Sequence, residues 1–181
     1  MRRLDFIIQR ARIKRALGHI QTGTLLLDIG CHQGELSGYL VDKHCRYFGI
    51  DPDVVVPTTN LIRGHFPNDL PPDWKGMEFD HGVALAVLEH VPMDELVEFL
   101  RSVRDVLRPG GTLIATIPSP ATDKLLVVLR RTRLIDGMDL DAHDGLTLAQ
   151  LLGAAEETGL RLVSHDQFQL GLNNLLVWAR V

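Results

Sequence analysis

The run Thr24-Leu25-Leu26-Leu27-Asp28-Ile29, closed by Gly30, limits the fold more than any other segment of this chain. It is apolar, short and stopped by a glycine, so it reads as a buried strand entering a turn. Glu35 to Lys43 follows as a predicted helix, and Cys45 to Ile50 as a second strand punctuated by Asp51-Pro52-Asp53. The alternation continues. A short strand is expected near Leu61-Ile62, and a proline-rich loop over Phe66 to Gly76. Phe79 to Val87 reads as a strand, Pro92 to Val106 as a helix, Arg108 to Gly111 as a turn and Thr112 to Ile117 as a strand. Thr147 to Thr158 is a predicted helix with Gly159 as its stop. Arg161 to Gln167 and Asn174 to Val181 are the last two strands. Strands alternating with helices imply an α/β, doubly wound, mainly parallel sheet. The final two strands have no helix between them and should pair antiparallel.

A length of 181 residues suits one domain over residues 1–181. Residues 1–23 form a predicted N-terminal helical region, with Leu4, Ile7, Ile8, Ala11, Leu17 and Ile20 near helical spacing. Residues 119–146 form a variable segment placed to cover a substrate, with one helix expected around Lys124 to Leu134. Hydrophobic residues make up 45% and charged residues 23%, as in ordinary globular proteins, and the net charge of -4 gives no overall footprint for nucleic acid. Six of the 19 Lys and Arg residues fall in the first 15 positions (Arg2, Arg3, Arg10, Arg12, Lys14 and Arg15), and Arg130, Arg131 and Arg133 form a second group. Cys31 and Cys45 have no disulfide or metal spacing, no apolar run is long enough to span a membrane, and no signal-peptide core follows the basic start. The expected location is the cytoplasm.

In open α/β sheets, ligands bind beyond the carboxyl ends of the strands, near the point where strand order reverses. After strand one stands Asp28-Ile29-Gly30-Cys31-His32-Gln33-Gly34. Gly30 lets backbone approach a ligand, Gly34 permits close packing at the helix start, and Asp28 can fix the turn or meet a cationic group. Asp51 lies 21 residues beyond Gly30, where a carboxylate can take both hydroxyls of a ribose. Read singly, the first motif could be a structural turn and the second a solvated loop acid.

The four stretches LLLDIGCHQG, FGIDPD, FDHGVALAVLEHVP and LRPGGTLIATIP, in this order, resemble the successive motifs of class I S-adenosylmethionine-dependent methyltransferases, in the branch of ubiquinone-type and small-molecule enzymes. The resemblance implies a Rossmann-like, seven-stranded sheet of order 3-2-1-4-5-7-6 with strand seven antiparallel. It implies S-adenosyl-L-methionine as cofactor and S-adenosyl-L-homocysteine as product. Gly30 and Gly34 would lie under the methionine part with Asp28 behind. Asp51 would bind the ribose and Pro52 would pack on the adenine. His65 and Phe66 would touch the adenine edge, and Leu85, Ala86 and Leu88 would line the methionine end, chiefly through backbone. His32 stands where the family has a second glycine, and histidine tolerates left-handed backbone better than most residues. His65 replaces the usual acid near the adenine. Ala86 replaces a carboxylate that metal-using relatives carry three residues before their Glu-His pair, so no metal is expected.

Methyl transfer from a sulfonium needs alignment more than acid–base chemistry. His90 and His143 are the candidate bases; each could instead be a structural or solvated histidine. The remaining histidines His19, His44, His81 and His165 have no supporting context. The Arg130, Arg131 and Arg133 group admits an anionic acceptor. No aromatic-rich nucleic-acid surface and no Asn-Pro-Pro-Tyr-type motif follows strand four, which favours a small molecule over nucleic acid. The ubiquinone-type resemblance implies oxygen as nucleophile. Two other readings share parts of the pattern: a nicotinamide-dependent oxidoreductase, and a cofactor-binding protein without catalysis. Oligomeric state stays open, a homodimer included.

Overall fold

The computed structural model describes residues 3–119 and 146–181. The chain starts with α1 (Arg3–Ala16) and a short 3-10 turn, Leu17–His19. β1 (Leu25–Ile29), β2 (Arg46–Asp51) and β3 (Leu61–Arg63) follow, then a one-turn α2 (Pro72–Lys75). β4 (Phe79–Leu85), α3 (Leu96–Val106) and β5 (Leu107–Pro118) come next. After the gap stand α4 (Leu148–Glu157), β6 (Leu160–Phe168) and β7 (Asn173–Arg180). The sheet order is β3-β2-β1-β4-β5-β7-β6. The first five strands are parallel, while β7 runs antiparallel to both β5 and β6. This is the expected seven-stranded topology.

Side chains along a strand alternate between faces, and β1 shows what that does here. Leu27 and Ile29 face a core with Leu96, Leu100 and Val103 of α3 and Leu151 of α4. Leu26 faces the opposite core, with Ile13 and Ala16 of α1 and Leu36 and Leu40 beyond the first turn. β7 repeats the pattern: Leu176 and Trp178 enter the first core, Leu175 and Val177 the second. Both faces of the central strands are therefore covered, which is why they read as continuous apolar runs.

Four expectations shift in detail. Glu35 to Lys43 forms two 3-10 turns, Glu35–Tyr39 and Val41–Lys43, rather than one α-helix. Gly34 offers no side-chain cap, and Ser37-Gly38 lowers helix propensity while Leu36 and Leu40 still bury. α3 begins at Leu96, four residues after Pro92, and buries Leu96, Leu100, Val103 and Val106. The stretch Arg108 to Gly111 lies inside β5, because Leu107 pairs with Phe79 ahead of a register shift. The proline-rich loop contains α2, with Pro72 in the first helical turn; Trp74 packs edge-on to Phe48 with ring centres 4.9 Å apart. α4 has the capping box its sequence signals, with Thr147 Oγ1 accepting from Gln150 N and the Gln150 side chain accepting from Thr147 N.

Candidate active site

The carboxyl ends of β1, β2 and β4 meet at Gly30. Its φ is +72°, and its amide donates to Ile50 O at 2.9 Å. A Cβ there would lie 2.4 Å from Val87 Cγ2, so the turn after β1 is pressed against the segment after β4. His32 takes the left-handed backbone that a glycine would, at φ 50°, and its amide donates to Asp51 Oδ2 at 2.8 Å. Asp51 Oδ1 accepts from Asp53 N at 2.7 Å. One carboxylate thus ties the first turn to the end of β2. The His32 side chain bonds through Nδ1 to Glu35 Oε1 at 2.7 Å, and Gly34 follows at φ +81°. Ala86 also stands at positive φ, 60°, with its amide donating to Thr116 O.

Two cavities share Gly30 in their walls. The larger, about 390 Å³, has Pro52, His65, Phe66, Val87, His90 and Val91 among its lining residues. Phe66 is steadied there by Phe99, edge-on with ring centres 5.3 Å apart. The smaller, about 290 Å³, is lined by Arg12, Asp28, His32, Glu35 and Leu85, so it carries charges of both signs. Asp28 is buried and accepts from Tyr47 OH at 2.8 Å. Burial raises its carboxyl to about pH 7, with the Tyr47 hydrogen bond pulling down and the charges of Glu35 and Asp51 pushing up. Burial also lowers the Arg12 guanidinium, while the charge of Glu89 opposes that shift. Nε and Nη2 of Arg12 both donate to Asn173 Oδ1, at 3.3 and 3.1 Å.

The two cavities thus meet at Gly30, beside a strand-end carboxylate that holds the turn after β1. Among the described residues, no group of three His, Cys, Asp or Glu side chains is arranged to hold a metal ion, and no helix is long and apolar enough to cross a membrane. A family model for the methyltransferase domain matches residues 3–165. The chain belongs to the methyltransferase-domain family.

Its relatives carry the same stamp. A Methylobacterium sp. (strain 4-46) ubiquinone biosynthesis O-methyltransferase is 30% identical over 151 residues, 76% of this chain and 60% of that protein. The chain therefore spans about three-fifths of that relative's length. A TehB-like S-adenosylmethionine-dependent methyltransferase from Corynebacterium glutamicum superposes with a TM-score of 0.66 at 17% identity, covering 94% of this chain and 88% of that one. Burkholderia thailandensis 1,6-didemethyltoxoflavin-N1-methyltransferase, solved with 1,6-didemethyltoxoflavin and S-adenosylhomocysteine, gives 0.64 at 13%, covering 95% and 77%. With the methyltransferase-domain family shown, the nicotinamide alternative falls away.

Of the residues singled out in the sequence, Asp28, Gly30, His32 and Leu85 line the smaller cavity. Pro52, His65, Phe66 and His90 line the larger one. His90 thus shares a wall with the residues expected at the adenine. The Leu88 side chain is fully buried in the core beneath α3, at the start of the 3-10 turn Leu88–His90, which leaves its backbone as the part expected at the methionine end. Leu88→Ala should cost ~2–5 kcal/mol of stability, read as a lowered thermal midpoint; an unchanged midpoint would take the side chain out of the core. His143, Arg130, Arg131, Arg133 and the helix expected near 124–134 lie outside the described residues. His81 and His165 are held in hydrogen bonds, to Thr112 and Asn174 respectively.

Sequence reasoning missed three contributors. Arg12 was visible only as one of six basic residues. Gln33 donates to Asp53 O at 2.7 Å and accepts from Val55 N at 3.1 Å, closing the loop after β2. Tyr47 reaches Asp28 from the neighbouring strand. None has a local signature, since each acts across a strand or loop boundary.

Proposed function

We propose that this methyltransferase moves the methyl group of S-adenosylmethionine to an oxygen of a small-molecule acceptor, by in-line displacement, from one domain spanning residues 1–181. Bound S-adenosylmethionine supplies a methyl on a positively charged sulfur, which is a good leaving group. The chain's own residues bind and align. Asp51 meets the ribose hydroxyls, Pro52, His65 and Phe66 enclose the base, and the mixed-charge lobe around Asp28 and Arg12 holds the amino-acid tail. Gly30, His32 and Gly34 let backbone come close beneath that tail, with Leu85 and Ala86 beside it. Alignment of this kind can contribute about 7–11 kcal/mol. The observation carrying the reading is the pair of cavities that share Gly30 in their walls, with the Asp51 carboxylate holding the adjoining turn at His32.

Oxygen as acceptor atom draws support from the O-methyltransferase relative at 30% identity. His90 and His143 are the bases we assign for removing a proton from that oxygen, a role worth about 10²–10⁴-fold where a proton must leave. Arg130, Arg131 and Arg133 suit an acceptor bearing carboxylate or phosphate. The protein works without metal and without nucleic acid, in the cytoplasm. Incubation with radiolabelled S-adenosylmethionine and a metabolite extract should place label in a low-mass, O-methylated product. Label only in nucleic acid or protein would overturn the proposal, and full turnover in His90→Ala and His143→Ala would remove both bases.

A further inference from the structure

Tyr47 sits outside the motifs that identify this family, yet it touches the most buried acid of the site. It lies on β2 two residues before Gly49, on the same face of the strand. A Cβ on Gly49 would meet Tyr47 OH at 2.8 Å and Cys31 Sγ at 2.8 Å. The missing side chain at Gly49 is thus the space through which the phenol crosses to β1. There it donates to Asp28 Oδ2 at 2.8 Å. Asp28 is 4% exposed and lines the smaller cavity.

We propose that Tyr47 is a positioning residue for cofactor binding: its hydroxyl, admitted over Gly49, holds the buried Asp28 carboxylate in the ionised, cavity-facing form that meets the cationic amino-acid tail of the cofactor. The groups facing Asp28 are Tyr47 and Asp51 from β2, Cys31, His32 and Glu35 from the turn after β1, and Arg12 from α1. Burial holds the Tyr47 phenol and the Cys31 thiol far above their ordinary ranges, so both stay protonated, and the phenol stays a donor. Burial and the acids Glu35 and Asp51 push the Asp28 proton on, while the phenol pushes it off. Without the phenol, protonated Asp28 would persist to higher pH.

The sign follows from linkage. A cationic tail prefers ionised Asp28, so cofactor binding expels a proton below the Asp28 midpoint. Affinity should rise about tenfold per pH unit up to about pH 7 and level off above it. The test is calorimetric titration of the full chain with S-adenosylhomocysteine from pH 5.5 to 9. Tyr47→Phe should move the break upward by at least half a pH unit, with Kd about twofold weaker or more at pH 7 and within twofold of wild type at pH 9. Asp28→Asn should flatten the profile. A break left in place in Tyr47→Phe, or a uniform weakening at every pH, would overturn the proposal, as would a break surviving in Asp28→Asn.

A second arm needs no truncation and covers the case in which Tyr47→Phe does not fold. The chain has two tyrosines, and Tyr39 lines neither cavity. Biosynthetic 3-fluorotyrosine makes the phenol a stronger donor in nearly the same shape, so the break should move downward; an unmoved break counts against Tyr47. The proposal rests on the cofactor reading. Wild-type protein that binds no S-adenosylhomocysteine at any pH would sink both, whereas wild-type binding with an unshifted break sinks the role of Tyr47 alone.

Discussion

Asp51→Asn should weaken S-adenosylhomocysteine binding by roughly 10- to 150-fold, measured by calorimetry at neutral pH. The carboxylate serves two backbone amides, His32 N on Oδ2 and Asp53 N on Oδ1. Each oxygen has a second lone pair for a ribose hydroxyl. Asparagine has one such oxygen, and its amide nitrogen would confront a part-buried N–H donor. That unmet donor is present with or without cofactor, so it lowers stability and not affinity. The lost hydrogen bond from a ribose hydroxyl to a charged acceptor contributes ~1.5–3 kcal/mol, and since every 1.4 kcal/mol is tenfold, affinity falls by roughly 10- to 150-fold. The same change should loosen the turn at His32, so the thermal midpoint should also drop. Affinity within threefold of wild type would show that Asp51 is a strut for the turn and not a ligand of the cofactor.

Gly30→Ala should be the most destabilising single change at the site. Its φ of +72° costs an L-residue about 1–2 kcal/mol. The new Cβ would lie 2.4 Å from Val87 Cγ2, an overpacking worth ~1–3 kcal/mol. The sum, ~2–5 kcal/mol, lowers the thermal midpoint by roughly 5–15 °C in a chain of this size. The mechanism can be separated into its parts. Adding Val87→Ala removes the methyl that clashes but leaves the backbone strained, so the double variant should recover part of the loss. No recovery would place the whole cost in the backbone; full recovery would place it in the contact.

Much of the fold could be read from local pattern. Leu25 to Ile29 and Phe79 to Leu85 are apolar because both faces of a central strand are buried, and that periodicity needs no tertiary knowledge. The strand-end residues Gly30 and Asp51 could be picked out for the same reason, since they stop buried strands at the edge where such sheets bind ligands. Local pattern failed where weak helix formers met strong burial. Ser37-Gly38 lets the chain after Gly34 wind as 3-10 turns, while Leu36 and Leu40 still bury.

Local sequence therefore determined the order of elements, the turn at Gly30 and the acid at Asp51, because periodicity and backbone conformation are properties of neighbouring residues. The tertiary structure alone decided which polar side chains face one another. Tyr47 meets Asp28 because parallel pairing sets β2 beside β1, with Asp28 opposite Gly49 and two residues from the phenol. Arg12 reaches Asn173 across 161 positions because α1 folds back over the sheet. His32 keeps the turn that its missing glycine put in question, because the backbone amide it presents is held by Asp51 on the next strand.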